Sequence, residues 1–247
     1  MAGHSKWKNI RLRKGKQDAI RGNLFTKLSR EIIVAARMGG GDPAMNARLR
    51  VGVEKAREAS MPVENIKRAI ARGTGEVDGV TYEEIVYEGK GPGGAGLILE
   101  CYSENRNRTV AEVRHAFTKH GGAMGENGSV GWQFVRQGHL TLDLTGRDED
   151  ELTMAVLDAG AEDVESDGDT LTVYTGMGDL YKVAGELEKA GHKLGDVELV
   201  YRPTNKADLS ADDQAKLLRL MDALEELDDV QRVHVNVDID ADALGDD

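Results

Sequence analysis

The sequence predicts an α+β fold: an N-terminal three-helix domain plus two ferredoxin-like α+β domains, one inserted in the other. Three observations lead there. Apolar residues recur at helical spacing up to about Gly73. After Gly79 the pattern changes to alternation, the mark of half-buried strands. Residues 139–201 then hold a full β-α-β-β-α-β order, the split βαβ arrangement, with an incomplete set of elements on either side.

Residues 1–22 read as a basic arm without hydrophobic period, punctuated by Gly3, Gly15 and Gly22. The first helix is expected over Asn23–Met38, with Leu24, Leu28, Ile32 and Ala35 on one stripe and three glycines ending it. The second is expected to open at Asp42-Pro43, an N-cap followed by proline, with Met45, Leu49, Val53 and Ala56 inward. The third is expected to open near Met61-Pro62, to carry Val63, Ile66 and Ile70, and to stop at Gly73.

Strands are expected at Tyr82–Glu88 and Leu97–Tyr102, joined by a glycine-rich loop. A helix is expected from Thr109, because Thr109 and Glu112 have capping-box spacing. Val130, Trp132 and Phe134 alternate as a third strand. In the next unit Leu140, Leu142 and Leu144 alternate with His139, Thr141 and Asp143. A helix bearing Leu152 and Val156 follows, then a hairpin signalled by Asp167-Gly168, the helix Asp179–Ala190, and a strand with Val197, Leu199 and Tyr201. After Pro203 a helix capped by Ser210 and a strand over Arg232–Ile239 have no sheet of their own. Added to the earlier strands they complete a β-β-α-β…α-β unit. The domains expected are therefore 1–78 (arm and helices), 79–136 with 204–247 (discontinuous α+β), and 137–203 (inserted).

The chain has 247 residues, enough for two or three domains, and its 4% aromatic content demands aliphatic cores. A single cysteine, Cys101, excludes an internal disulfide and suits a reducing compartment. No apolar run approaches the roughly 18 residues a membrane span needs, and the start lacks a secretory apolar segment. A cytoplasmic protein is expected.

The net charge of −12 hides a division. Residues 1–75 carry seventeen basic and six acidic side chains, a surplus of eleven, so the remainder carries −23. Such a split suits a polyanion-binding end and an anion-repelling end. Lys6, Lys8, Arg11, Arg13, Lys14 and Lys16 cluster around Trp7, with Arg21, Lys27 and Arg30 following. Lysine and arginine neutralise phosphates with release of counterions, and Trp7 offers a face for an unstacked base. The plain alternative is a solvated arm. Arg106 and Arg108, beside a helix start, could also hold phosphate or merely belong to a polar loop. Met124 is the apolar side chain of a glycine-rich loop, fit either for a partner's groove or for a simple turn. Charge alone licenses backbone binding to DNA or structured RNA, without sequence reading.

Nothing in the sequence requires an enzyme, a cofactor or a metal. There is no phosphate-binding G-x-x-x-x-G-K-[ST] loop and no G-x-S-x-G elbow. His115 and His120 would lie about 140° apart on a helix, unsuited to share a metal. Cys101 sits in an apolar strand with no base nearby in sequence.

Three segments carry a resemblance: Ala2-Gly3-His4-Ser5-Lys6-Trp7-Lys8-Asn9-Ile10, Asn105-Arg106-Asn107-Arg108-Thr109, and Gly121-Gly122 through Gly128-Ser129-Val130. With them the chain resembles the YebC family over essentially its whole length. The resemblance implies three domains, one of them inserted, and a cytoplasmic role in bacteria. It implies a probable transcriptional regulator that binds DNA. It also implies, from mitochondrial relatives and from bacterial links to stalling, a translation factor at the ribosome. It supplies no catalytic residue. A ligand-sensing or scaffold module stands as a further alternative on fold analogy.

Overall fold

The computed structural model describes residues 17–238, with side chains from residue 22 onward. Lys6, Trp7, Lys8, Arg11, Arg13, Lys14, Lys16, the side chain of Arg21 and the acidic tail beginning at Ile239 lie outside the described residues. In chain order the elements are α1 (Gln17–Gly39), α2 (Ala47–Glu58), α3 (Val63–Thr74), β1 (Glu83–Lys90), β2 (Gly96–Ser103), α4 (Arg106–Lys119), β3 (Ala123–Met124), β4 (Phe134–Asp143), α5 (Glu149–Asp158), β5 (Asp163–Asp167), β6 (Thr170–Thr175), α6 (Leu180–Lys189), β7 (Leu194–Pro203), α7 (Ala211–Glu225) and β8 (Val230–Val235).

The three helices bury Ile32, Leu49, Val53, Ala56, Met61, Ile66 and Ala69 against one another. Their ends differ from expectation for local reasons. α1 takes in Gly22 and starts well before Asn23. A glycine inside a helix costs about 1 kcal/mol relative to alanine, which the packing of a long helix outweighs. Asp42 does not cap α2; its Oδ1 accepts from Ala44 N at 2.9 Å in a turn. Asn46 is the cap, accepting from Leu49 N at 3.1 Å, and Met45 is left exposed. α3 passes through Gly73 and ends at Gly75, whose φ of +81° makes a left-handed cap. At Gly73 a Cβ would come within 2.5 Å of the Ile33 carbonyl oxygen, so glycine lets α3 close onto α1.

Two antiparallel sheets follow, in the orders β3-β1-β2-β8 and β5-β6-β4-β7. The second is the split βαβ sheet, complete within β4 to β7. It buries Leu140, Leu142, Leu171 and Val173 under Val156 and Leu187 of its helices. The first sheet is interrupted by the second: Leu97, Leu99 and Cys101 of β2 share a core with Leu217, Leu220, Val233 and Val235 from the far end of the chain. One α+β domain is thus inserted in the other.

Several elements shift. α4 opens at Arg106, capped by Asn105, whose side chain accepts from Arg108 N; Thr109 lies buried inside the helix and makes no capping box. The expected strand at Val130–Phe134 is a short 3-10 turn over Gly131–Gln133. Val130 and Phe134 are buried against Ile98 and Tyr201, while Trp132 is 70% exposed. The apolar alternation there reflects two anchors pinning a turn. The third strand of the first sheet is instead β3, which pairs Gly89 with Met124 and Lys90 with Ala123. β4 starts at Phe134 and carries the chain from one sheet into the other. His139, expected on a solvated face, is buried beside the Tyr174 ring at 5.9 Å between centroids. The hairpin turn is Gly168-Asp169, since Asp167 pairs with Thr170. Ser210 caps α7 as expected, accepting from Asp213 N at 3.2 Å.

Candidate functional site

Two regions concentrate charge. The first is the outer surface of the helices. On α3, Arg68 and Arg72 stand one turn apart, both exposed and without an ion pair among the described residues. On α4, Arg106, Arg114 and Lys119 are exposed, against the single carboxylate Glu112. Arg106 holds only a loose pair with Glu83 at 3.4 Å. These cations stand on exposed faces of helices in two different domains.

Three of the residues expected to touch nucleic acid are engaged elsewhere. Arg30 is buried; its Nη1 lies 3.0 Å from Asp229 Oδ1 and donates to the Asp228 carbonyl. Buried in this way, it has little surface to offer a phosphate. Lys27 donates to the Glu225 carbonyl at 2.8 Å. Lys27 and Arg30 thus meet the C-terminal end of α7, where unpaired carbonyls and the helix dipole favour cations. Arg108 grips the same Asp229 from the other side, at 3.0 Å, and also Glu104. Burial opposes ionisation of Asp229, but its bonds from Thr109 and Arg108 outweigh that and hold its carboxyl below the usual range. Met124 is half-buried and packs against the domain core.

The loop after β3 is tied by a carboxylate. Glu88 accepts from the backbone N–H groups of Gly128, Val130 and Gly131 at 2.7 to 2.8 Å. Burial would raise its carboxyl, yet these bonds hold it below the ordinary value. The clamp fixes the turn that presents Trp132. Sequence reading placed Trp132 in a strand and missed its exposure; the signal was the glycine on one side and the short polar turn around it.

The second region lies where the three domains meet. β2 is buried on both faces. Its core face is apolar, and its other face carries Glu100 and Tyr102 toward α1, α2 and β7. Arg48 donates to Glu31 at 2.9 Å and to the Tyr102 hydroxyl at 2.6 Å, and Tyr102 donates back to Glu31 at 2.7 Å. Arg232 donates to Glu198 at 3.1 Å, and Lys55 donates to the Val197 carbonyl at 3.1 Å. His234 donates to Glu100 at 2.7 Å. Burial pushes the carboxyls of Glu31 and Glu100 upward, and their cationic and hydrogen-bonding neighbours more than reverse it, leaving both below the usual range. None of these side chains was singled out from sequence, since each reads as a solvated charge until other domains close over it. A cavity of about 320 Å³ opens among them.

Other features are inert. Cys101 is buried, and burial pushes its thiol up to about 12, away from thiolate chemistry. Among the described residues no group of three or more His, Cys, Asp or Glu side chains is placed to hold a metal, and no helix is long and apolar enough to cross a membrane.

Comparison with known proteins covers nearly the whole chain. The TACO1/YebC protein N-terminal domain matches residues 5–76, and the TACO1/YebC second and third domain matches residues 82–237. A relative from Halothermothrix orenii is 52% identical over 97% of this chain and 96% of its own length. One from Neisseria gonorrhoeae is 52% identical over 98% of this chain and all of its own. Both are named probable transcriptional regulatory proteins. The crystal structure of a conserved hypothetical protein from Aquifex aeolicus superposes with a TM-score of 0.84 at 43% identity, covering 93% of this chain and 95% of that one. With both family matches in register with the helical domain and the paired sheets, this chain belongs to the TACO1/YebC family.

Proposed function

We propose that the protein is a non-enzymatic, nucleic-acid-binding regulator of gene expression. The names of its relatives support a regulatory role. The observation that carries nucleic-acid binding is the charge division, +11 over residues 1–75 against −23 over the rest. In this reading the arm residues Lys6, Lys8, Arg11, Arg13, Lys14 and Lys16 contact phosphates. Arg21, Arg68, Arg72 and Arg106 extend that surface, and Trp7 stacks on an unpaired base.

The relatives are named probable transcriptional regulatory proteins, and transcriptional control points to DNA as the target. One observation favours structured RNA on a ribosome instead. The inserted domain, residues 137–203, carries sixteen acidic and five basic side chains, so it would be repelled by bare duplex but not by basic ribosomal proteins. The exposed Trp132 on its clamped turn gives that second reading an anchor for a partner.

Fluorescence anisotropy of the full chain with duplex DNA, single-stranded DNA and a structured RNA at low salt tests the proposal. Binding to at least one class, with Trp7→Ala costing more on single-stranded than on duplex targets, is expected. No binding to any of them would overturn it. Sedimentation of lysate over a gradient separates the two targets: comigration with ribosomal fractions favours RNA.

A further inference from the structure

We propose that the cleft where the three domains meet is a binding site for a small organic anion, an acidic head on an apolar body. The cleft encloses about 320 Å³, the low end of the volumes that hold small ligands. All three domains line it. One side is apolar, formed by Leu24 and Leu28 of α1, Val51 of α2 and Leu199 of β7.

The other side is charged, and its layering decides the sign. Of the four lining carboxylates, Glu198 and Glu100 lie deepest, their side chains 8% and 10% exposed; Glu31, at 19%, is bonded to Arg48 and Tyr102, and Glu225 is half-buried. The cations stand above them, with Arg232 at 21%, Lys55 at 25% and Arg136 at 37%. Each of these two deep carboxylates already has cationic partners, Glu198 in Lys55 and Arg232, Glu100 in Arg232 and Arg136, and Glu100 is also hydrogen-bonded to His234. A second cation entering the cleft would therefore find its counter-charges taken and guanidinium groups in its way. Arg136 is the least engaged: among the described residues its ion pair is to Glu100 alone, at 3.6 Å. Its guanidinium also lies 5.5 Å from the centre of the Tyr201 ring, which holds it over the cleft. An anionic head beside Arg136 and Arg232, with its body along Leu24, Leu28 and Leu199, satisfies both walls at once.

Because residues of three domains would touch one ligand, occupancy would brace their mutual arrangement and raise stability in proportion to ligand concentration. The site is independent of the nucleic-acid reading: neither Arg136 nor Leu24 belongs to the surface proposed to meet phosphate.

The test uses the full chain and anilinonaphthalene sulfonate, an apolar ring system with one sulfonate. Fluorescence titration is expected to show one saturable site per chain, displaced by octanoate. Arg136→Gln and, separately, Leu24→Asp should each weaken it at least fivefold, with the far-UV spectrum and the salt dependence of nucleic-acid binding unchanged. Leu24 is 41% exposed, so its variant folds even if the Arg136 change disturbs the cleft. Absence of a saturable site, several equivalent sites, or one site indifferent to Leu24→Asp would each overturn the proposal.

Discussion

Asp229 holds two domains together through one carboxylate. It is buried between Arg30 of the helical domain and Arg108 of α4, and accepts from the Thr109 hydroxyl at 2.5 Å. Removing one partner of a buried pair leaves the other charge uncompensated, at a cost of about 3–5 kcal/mol. Asp229→Asn should therefore lower the unfolding free energy by about 3 kcal/mol, read as a reduced urea midpoint. A change below about 1 kcal/mol would mean that Arg30 finds another acceptor in the Asp228 carbonyl alone. The same chemistry sets a pH dependence. Asp229, Glu31 and Glu100 all ionise more readily folded than free. A depressed folded value stabilises the protein above the unfolded value and loses that contribution as pH falls through the folded one. Stability should be level above about pH 5 and fall as acid passes about pH 4, the unfolded carboxylate range, with the loss continuing below it. Thermal melts across pH 3–7 check this, and the Asp229→Asn variant should show a shallower decline.

Individual elements show which parts of the fold can be read from a sequence. α7 and its Ser210 cap were legible because the signals are local: a hydroxyl, then leucines at helical spacing. The split βαβ order was legible because alternation and caps recur in a fixed sequence. Starts with two competing caps were not. Asp42 and Asn46 can both terminate a helix backward, and Asn46 prevails because its side chain also donates to the Ala35 and Gly40 carbonyls at 2.8 Å. Asn46→Ala should cost about 2 kcal/mol, more than the ~1 kcal/mol of an ordinary cap, since two carbonyls lose their donor as well. Denaturant unfolding measures it, and a loss no larger than that of Ser210→Ala would show that those two bonds add little. Thr109 was misread for a similar reason: its hydroxyl donates to Asp229, a residue distant in sequence, and does not cap a helix start. In the arm, which lies outside the described residues, the candidate surface is read from charge density alone. It was not legible at Arg30 and Lys27, whose charges turn inward to the end of α7, nor at the three-domain junction, where burial is imposed by tertiary closure.

At the scale of the whole molecule the charge division organises the proposed nucleic-acid binding. The acidic inserted domain and the basic helical domain are tied by Lys55, half-buried, which pairs with Glu198 at 3.5 Å and donates to the Val197 carbonyl. In the proposed function a polyanion would then meet an oriented molecule, attracted at one end and excluded at the other. Each phosphate neutralised adds about 0.9 to the slope of log affinity against log salt on duplex DNA, and about 0.7 on a single strand. Binding should therefore be measured for the full chain and for a variant with Lys6, Lys8, Arg11, Arg13, Lys14 and Lys16 all changed to alanine, from about 50 to 200 mM salt. The full chain should lose affinity steeply, and the variant should bind more weakly with a clearly shallower slope. Equal slopes for the two proteins would contradict the account.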